Sequence, residues 1–222
     1  PYLTIIAVVC GLIMLQPDLG TAFVVAATIF FMMMAAGARA SHLIAIAAAG
    51  AAAVVAAIVV APYRMARLTA FLNPWKYANE EGFQTIQSLY ALGSGGLFGL
   101  GLGRSRQKFF YLPEQHTDFI FAILGEELGF LGAIVVIALF LLFAWRGFKI
   151  AINAPDNFGS LLAAGITVLI TFQAAINIGV VCGVLPVTGI TLPFISHGGS
   201  SLLFTLIGVG LLLNISRYSM NR

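Results

Sequence analysis

The sequence predicts an all-α fold, a polytopic transmembrane helix bundle, and three observations carry that prediction. Hydrophobic residues make up 60% of the 222 residues and charged residues only 9%. The mean hydropathy, +1.02, is well above that of a soluble globular chain. The apolar residues also fall into separate runs, and at roughly 20 residues per span the chain accommodates about six. We read residues 1–222 as a single membrane domain with one long extracellular loop at about 64–117. Pro1 stands where an initiator Met would and apolar sequence follows at once, so a C-terminal portion of a longer protein is expected and a signal peptide is not.

Each element follows from local composition. Residues 2–15 form a first apolar segment that stops at Gln16, Pro17 and Asp18, and residues 19–38 form a second. Pro17 between two polar side chains marks a turn. Asp18 reads as the cap of the second helix ahead of a catalytic role, because no acid, base or nucleophile stands near it in sequence. Arg39 and His42 make a short connection to a third segment, 43–61, so rich in Ala around Gly50 that close packing inside the bundle is expected. From Pro62 to about Thr117 the apolar density falls. Phe83, Ile86, Leu89 and Tyr90 recur there at helical spacing beside Gln84, Gln87 and Ser88, which predicts a short helix lying in the interface. A fourth span is expected from about Asp118 to Trp145, ending at Arg146 and Lys149. A fifth covers about 158–182, and a last covers about 200–214, ending at Arg217 and Arg222.

Polar residues concentrate in two places. The stretch from Tyr111 to Phe130, YLPEQHTDFIFAILGEELGF, crowds Glu114, His116, Asp118, Glu126 and Glu127 together. Pro113 suits a helix entrance and Thr117 can cap the run that follows, so a helix is expected to begin near Thr117 or Asp118. Asp118 then stands at the mouth of that helix. Glu126 lies roughly 12 Å further along it, well below a membrane surface, where a carboxylate marks a pathway, a relay or a buried partner. Gly125 and Gly129, four apart, let one face approach a neighbour. Gln173 and Asn177 share a face of the fifth span and read as interhelical hydrogen-bonding groups before substrate contacts. The second place is GVLPVTGITLPFISHGGSS, from Gly183 to Ser201. Pro186, Gly189, Pro193, Gly198 and Gly199 forbid a continuous helix there, so Ser196, His197, Ser200 and Ser201 are candidates to line a wet cavity.

The same residues disfavour other functions. Net charge is +3, but the cations are scattered among loops, as membrane-flanking residues are, so no nucleic-acid partner is expected. Cys10 and Cys182 sit singly in apolar runs without zinc or redox spacing. The glycine-rich run from Gly93 to Gly103 ends in Arg104 and Ser105 and lacks the Gly-Lys-Ser/Thr of a nucleotide loop. Tight turns packed against the membrane account for it, and Arg104, Arg106 and Lys108 remain candidates to face a phosphate or an anionic lipid headgroup. Loop alternation puts Arg39, Arg146, Lys149, Arg217 and Arg222 on one side, taken as cytoplasmic, and the long loop on the other.

The wording of these segments resembles the SEDS family of bacterial cell-wall polymerases, the FtsW, RodA and SpoVE proteins. The resemblance covers the whole chain: QPDLGT at 16–21, NPW at 73–75, GFQ and QSLYA within 82–91, GLGRSRQKFFYLPEQHTDFIFAILGEELGF at 101–130 and LPVTGITLPFISHGGSS at 185–201. The loop and the NISRY tail at 214–218 are most similar to the FtsW and SpoVE branch. Family members have about ten spans, so the resemblance implies that this chain corresponds to the fifth through tenth. His197 departs from the pattern, since the family more usually has Tyr before Gly-Gly-Ser-Ser.

The resemblance implies a peptidoglycan glycosyltransferase that joins lipid II units into glycan strands at the outer face of the bacterial cytoplasmic membrane, in division, sporulation or cell shape. By the match to HTDF, its essential aspartate falls on Asp118, which suits a general base that removes a proton from a sugar hydroxyl. Substrate-binding residues are expected at Glu114, His116, Thr117, Lys108, Arg104, Ser196, Gly198, Gly199 and Ser200. Glu126, Glu127, Gln173 and Asn177 are expected as buried polar or relay groups. A divalent cation, Mg or Mn, would stabilise the leaving pyrophosphate, although no metal-ligand cluster is visible in the sequence. Implied partners are lipid II, membrane lipid and a transpeptidase of the class B penicillin-binding type. Two readings from other classes stand beside this one: a lipid II flippase or ion-coupled transporter, and a docking scaffold for another cell-wall enzyme.

Overall fold

Every expected apolar segment becomes a helix with boundaries close to those read from composition. The structure is a computed structural model that describes residues 2–107 and 112–218. The helices are α1 (Tyr2–Leu15), α2 (Leu19–Ala35), α3 (Ala40–Val60), α4 (Pro62–Leu72), α5 (Gly82–Gly95), α6 (Ile120–Ile152), α7 (Asn157–Val181) and α8 (Gly199–Tyr218), with a 3-10 turn at Pro74–Tyr77. Among the described residues all regular structure is helical. α3, α6, α7 and α8 are long and apolar enough to cross a membrane. At 14 and 17 residues, α1 and α2 are apolar but shorter than the roughly 20 a full span needs.

The chain forms two compact units: residues 1–56, 140–172 and 199–222 in one, and residues 57–139 and 173–198 in the other. In the first, α1 and α2 are joined through the Gln16–Asp18 turn and pack together. The Asp18 carboxylate accepts a hydrogen bond from Thr21 N at 2.9 Å, so Asp18 is the helix cap that its position suggested. Ala151, Ala163, Ala164 and Leu212 form a small core flanked by Phe143, Ile150, Ile166 and Ile215. α6 and α7 meet so closely that a Cβ on Gly147 would overlap the buried Thr167 side chain. Phe172 on α7 touches Phe23 and Phe31 of α2 at ring separations of 5.8 and 6.0 Å.

The Ala-rich α3 does not behave as expected, because none of its residues is buried, and a Cβ on Gly50 would meet nothing within 4 Å. Small side chains permit close approach but supply no attraction of their own.

The second unit contains the break that organises the polar residues. α6 is 33 residues long, but Gly129 interrupts it with φ 70 and ψ −170. The preceding half-helix exposes the carbonyls of Glu126 and Glu127, which accept from Leu100 N and Gly101 N, each at 3.0 Å. The following half-helix offers Phe130 N to Gly96 O at 2.9 Å and Leu131 N to Leu97 O at 3.2 Å. The glycine-rich loop thus satisfies main-chain groups at both cut ends of the helix. Close approach explains the glycines. A Cβ on Gly95 would overlap the Gly125 carbonyl, and one on Gly99 would overlap Glu127. The run therefore packs against the α6 break, a more specific neighbour than the membrane surface expected for it.

Candidate functional site

Asp118 lies in a turn, not on a helix. α6 begins at Ile120, two residues beyond it, so the expected helix start near Thr117 or Asp118 is displaced. Residues 113–119 form consecutive turns in which Thr117 N and Phe119 N both donate to Glu114 O, each at 3.2 Å. Glu114 occupies the left-handed region at φ 51. Thr117 does not cap α6; its hydroxyl donates to Glu114 Oε2 at 2.8 Å. Glu114 and His116 are exposed, while Thr117 and Asp118 are half-buried.

Three successive carbonyls of this turn are held by the chain's C-terminal third. His197 N donates to His116 O at 2.8 Å, Ser196 Oγ to Thr117 O at 2.6 Å, and Asn177 Nδ2 to Asp118 O at 2.7 Å. Asn177 is 1% exposed and also donates to Ile190 O at 2.6 Å, while its buried Oδ1 has no partner among the described residues. Ser196 Oγ accepts from Leu192 N at 2.7 Å, and Gln173 Nε2 donates to Thr191 O at 3.0 Å. α7 thus fastens both the Asp118 turn and the irregular 183–198 segment through side-chain amides. Asn177 and Gln173 were expected to bond to other helices, but their partners are loop carbonyls. A Cβ on Gly189, where φ is +77, would meet Asp118 Oδ2 at 3.6 Å, an ordinary van der Waals contact, so this glycine passes close beside the carboxylate.

A second constellation surrounds Glu126, which is 1% exposed. Its carboxylate accepts from Arg106 N at 3.0 Å, from Gln107 N and Ser94 Oγ at 3.3 Å each, and from Ser105 Oγ in a short hydrogen bond. The half-buried Glu127 accepts from Ser105 N at 3.3 Å. The two glutamates pin the 105–107 backbone, leaving Arg104 and Arg106 exposed on either side of the buried Ser105. Lys108, the other cation expected at this site, lies outside the described residues, as do Tyr111 and Arg222.

A cleft of about 520 Å³ opens nearby, lined by Arg67, Glu80, Glu81, Phe83, Gln84, Pro113 and Val187. Pro113 begins the Asp118 turn and Val187 belongs to the segment that carries Gly189. Among the described residues no three His, Cys, Asp or Glu side chains are grouped as metal ligands.

Comparison with known proteins decides the family. The profile of the family FTSW_RODA_SPOVE, described as "Cell cycle protein", matches residues 1–221. The chain belongs to this family. It is similar to stage V sporulation protein E of Bacillus subtilis (strain 168), with 56% identity over 219 residues, covering 99% of this chain and 60% of that protein. It is also similar to the probable peptidoglycan glycosyltransferase FtsW of Geobacter sp. (strain M18), at 46% identity, covering 97% of this chain and 59% of that one. Among solved structures, a chain of a peptidoglycan synthase complex superposes with TM-score 0.78 at 32% identity, covering 100% of this chain and 62% of its own. The rod shape determining protein RodA of Thermus thermophilus gives TM-score 0.65 at 31% identity, covering 100% of this chain and 56% of its own. The chain therefore spans about 60% of the length of the curated relatives it matches. It is a multi-pass protein of the bacterial cytoplasmic membrane.

Within this family member, the residues singled out from sequence fall into three groups. Glu114, His116, Thr117, Asp118, Gln173, Asn177 and Ser196 come together around the Asp118 turn. Arg104, Glu126 and Glu127 form the second constellation. Gly198 closes the irregular segment, whereas Gly199 and Ser200 open α8 in the other unit, both exposed. Sequence reasoning missed Ser94, Ser105 and Thr191, all ordinary polar residues in polar stretches. It also missed the Arg67, Glu80, Glu81 and Gln84 wall of the cleft, for which an amphipathic α4 beside an acidic pair is the only sequence signal.

Proposed function

We propose that this chain acts in a peptidoglycan glycosyltransferase that polymerises lipid II into glycan strands at the outer face of the membrane, for division or sporulation. One observation carries the reading: the turn that bears Asp118 is fixed through three consecutive carbonyls, so the main chain around a half-buried carboxylate is held in place. Such rigidity is what proton transfer in a transition state requires. In the reaction, the oxygen of an acceptor sugar hydroxyl bonds to the anomeric carbon of the donor. The bond from that carbon to undecaprenyl pyrophosphate breaks, and the hydroxyl proton passes to Asp118. Arg104 and Arg106, presented by the pinned loop, are the described cations suited to the leaving pyrophosphate. Of the residues at this turn, Asp118 would be the one to hold a divalent cation, Mg or Mn, which when bound would stabilise the departing charge. The partner that fits the peptidoglycan synthase relative is a class B penicillin-binding transpeptidase.

A lipid II flippase or transporter is the second reading, favoured by the interruption of α6 at Gly129, a feature of transport proteins. The full-length protein, purified with its transpeptidase and given lipid II, separates the two. Asp118→Asn should lower strand formation by roughly 10²-fold or more while lipid II binding persists. Strand formation near the wild-type rate by folded Asp118→Asn protein would rule out the base role.

A further inference from the structure

We propose that the loop from Gly95 to Gly103, with Leu97, Phe98 and Leu102 at its surface, is seated in the headgroup layer of the bilayer and not in bulk water. The proposal shares Arg104 and Arg106 with the catalytic reading, since a lipid-linked pyrophosphate lies at the same headgroup level, and rests first on the length of α6. Its 33 residues exceed the roughly 20 that one span needs. One end of the span is marked by Trp145, over which Arg146 and Lys149 stack at 4.9 and 5.7 Å, as aromatic and basic residues do at a membrane interface. Counting about 20 residues back from Arg146 arrives at Glu126, within one turn of the Gly129 break. The break therefore marks the opposite interface. Glu126, expected well below a membrane surface, belongs at that boundary, where its ring of donors already satisfies it.

The loop is tied to this level. Its Gly96 and Leu97 carbonyls accept from Phe130 and Leu131, the first amides after the break. Leu97, Phe98 and Leu102 are 62%, 79% and 78% exposed, a set of large apolar side chains that water would not favour. Arg104 and Arg106 follow directly, exposed, as cations matched to lipid phosphates. Trp75 and Tyr90, also exposed and in edge contact at 6.0 Å, add the aromatic pair typical of an interface one turn before α5 ends. Apolar tips, adjacent arginines and a fixed depth together match lipid and not a protein surface.

The test places the environment-sensitive fluorophore NBD on Phe98→Cys in full-length protein, with all native cysteines, Cys10 and Cys182 included, replaced by Ser. The protein is reconstituted alone in phosphatidylglycerol-containing nanodiscs. Lipid bearing a doxyl group near the headgroup should quench this probe about twofold or more strongly than a probe on Glu80→Cys, and aqueous iodide should quench it less. Leu102→Cys should give the same pattern, which guards against a misfolded first variant. Iodide quenching equal to that at position 80, or protection from both quenchers, would overturn the proposal.

Discussion

Replacing Glu126 tests whether its carboxylate fastens the 94–107 loop to α6. Oε1 accepts from Ser94 Oγ and Arg106 N, and Oε2 accepts from Ser105 Oγ and Gln107 N. In Glu126→Gln one oxygen becomes an NH2 group, whichever way the amide turns. A serine hydroxyl can rotate to accept from that NH2, but a backbone N–H cannot, so one buried amide always faces a donor. An orphaned donor costs about 1–3 kcal/mol, and losing the charge on the remaining bonds adds about 1 kcal/mol. The expected loss is thus about 2–4 kcal/mol, or roughly 5–15 °C in Tm at the scaling for chains of this size. Glu126→Ala, which orphans both amides and opens a cavity, should lose more. Thermal unfolding in detergent, followed by tryptophan fluorescence, measures both. Ser105→Ala should be costly in the wild type and much cheaper beside Glu126→Ala, with a coupling of about 1 kcal/mol or more. A Tm for Glu126→Gln within about 1 °C of wild type, or an additive cycle, would refute the fastening role.

Further substitutions probe the same framework. Gly129→Ala and Gly99→Ala each force a side chain into left-handed backbone, at φ 70 and 78, and against a facing main chain. Each should destabilise by about 3 kcal/mol or more, while Gly50→Ala, with nothing within 4 Å, should leave Tm unchanged or slightly raised; equal effects at all three would contradict the packing described. Asn177→Leu removes the donor to Asp118 O and Ile190 O and should lower the strand-forming rate without weakening lipid II binding, a split that steady-state kinetics with the full-length complex would reveal.

The helices were legible because composition alone separates apolar runs from polar connections, and Asp18 was legible because a cap is a local interaction. The break in α6 was not, since Gly129 sits in an apolar run that reads as continuous and its conformation is set by main-chain bonds to a loop some thirty residues away. Its one sequence signal is excess length, because a run from Asp118 to Lys149 is too long for a single span. The Glu126 site was half legible: a carboxylate beside apolar residues demands partners, but Ser94 and Ser105 carry no pattern that would name them. Ala content misled for α3 because it records what packing a helix permits and not whether a neighbour is there.

Asp118 is where the structure changes the force of an experiment. With a helix starting at Thr117 or Asp118, the carboxylate would be a cap worth about 1 kcal/mol, and any loss of activity in a variant could be ascribed to fraying. Because α6 starts at Ile120, Phe119 occupies the position before the helix and Asp118 stands one residue further out. The Asp118 main-chain carbonyl is bonded to Asn177, and that group is present in every variant. Altering the half-buried side chain leaves that main-chain bond in place. Asp118→Asn and Asp118→Glu should therefore both unfold within a few degrees of wild type, which thermal unfolding of the purified full-length protein will show. Glu keeps a proton acceptor but displaces it by a methylene, and should retain only a trace of strand formation because rate depends steeply on placement. Comparable, large losses of Tm in both variants would show that the side chain supports the fold, and the base assignment would lose its footing.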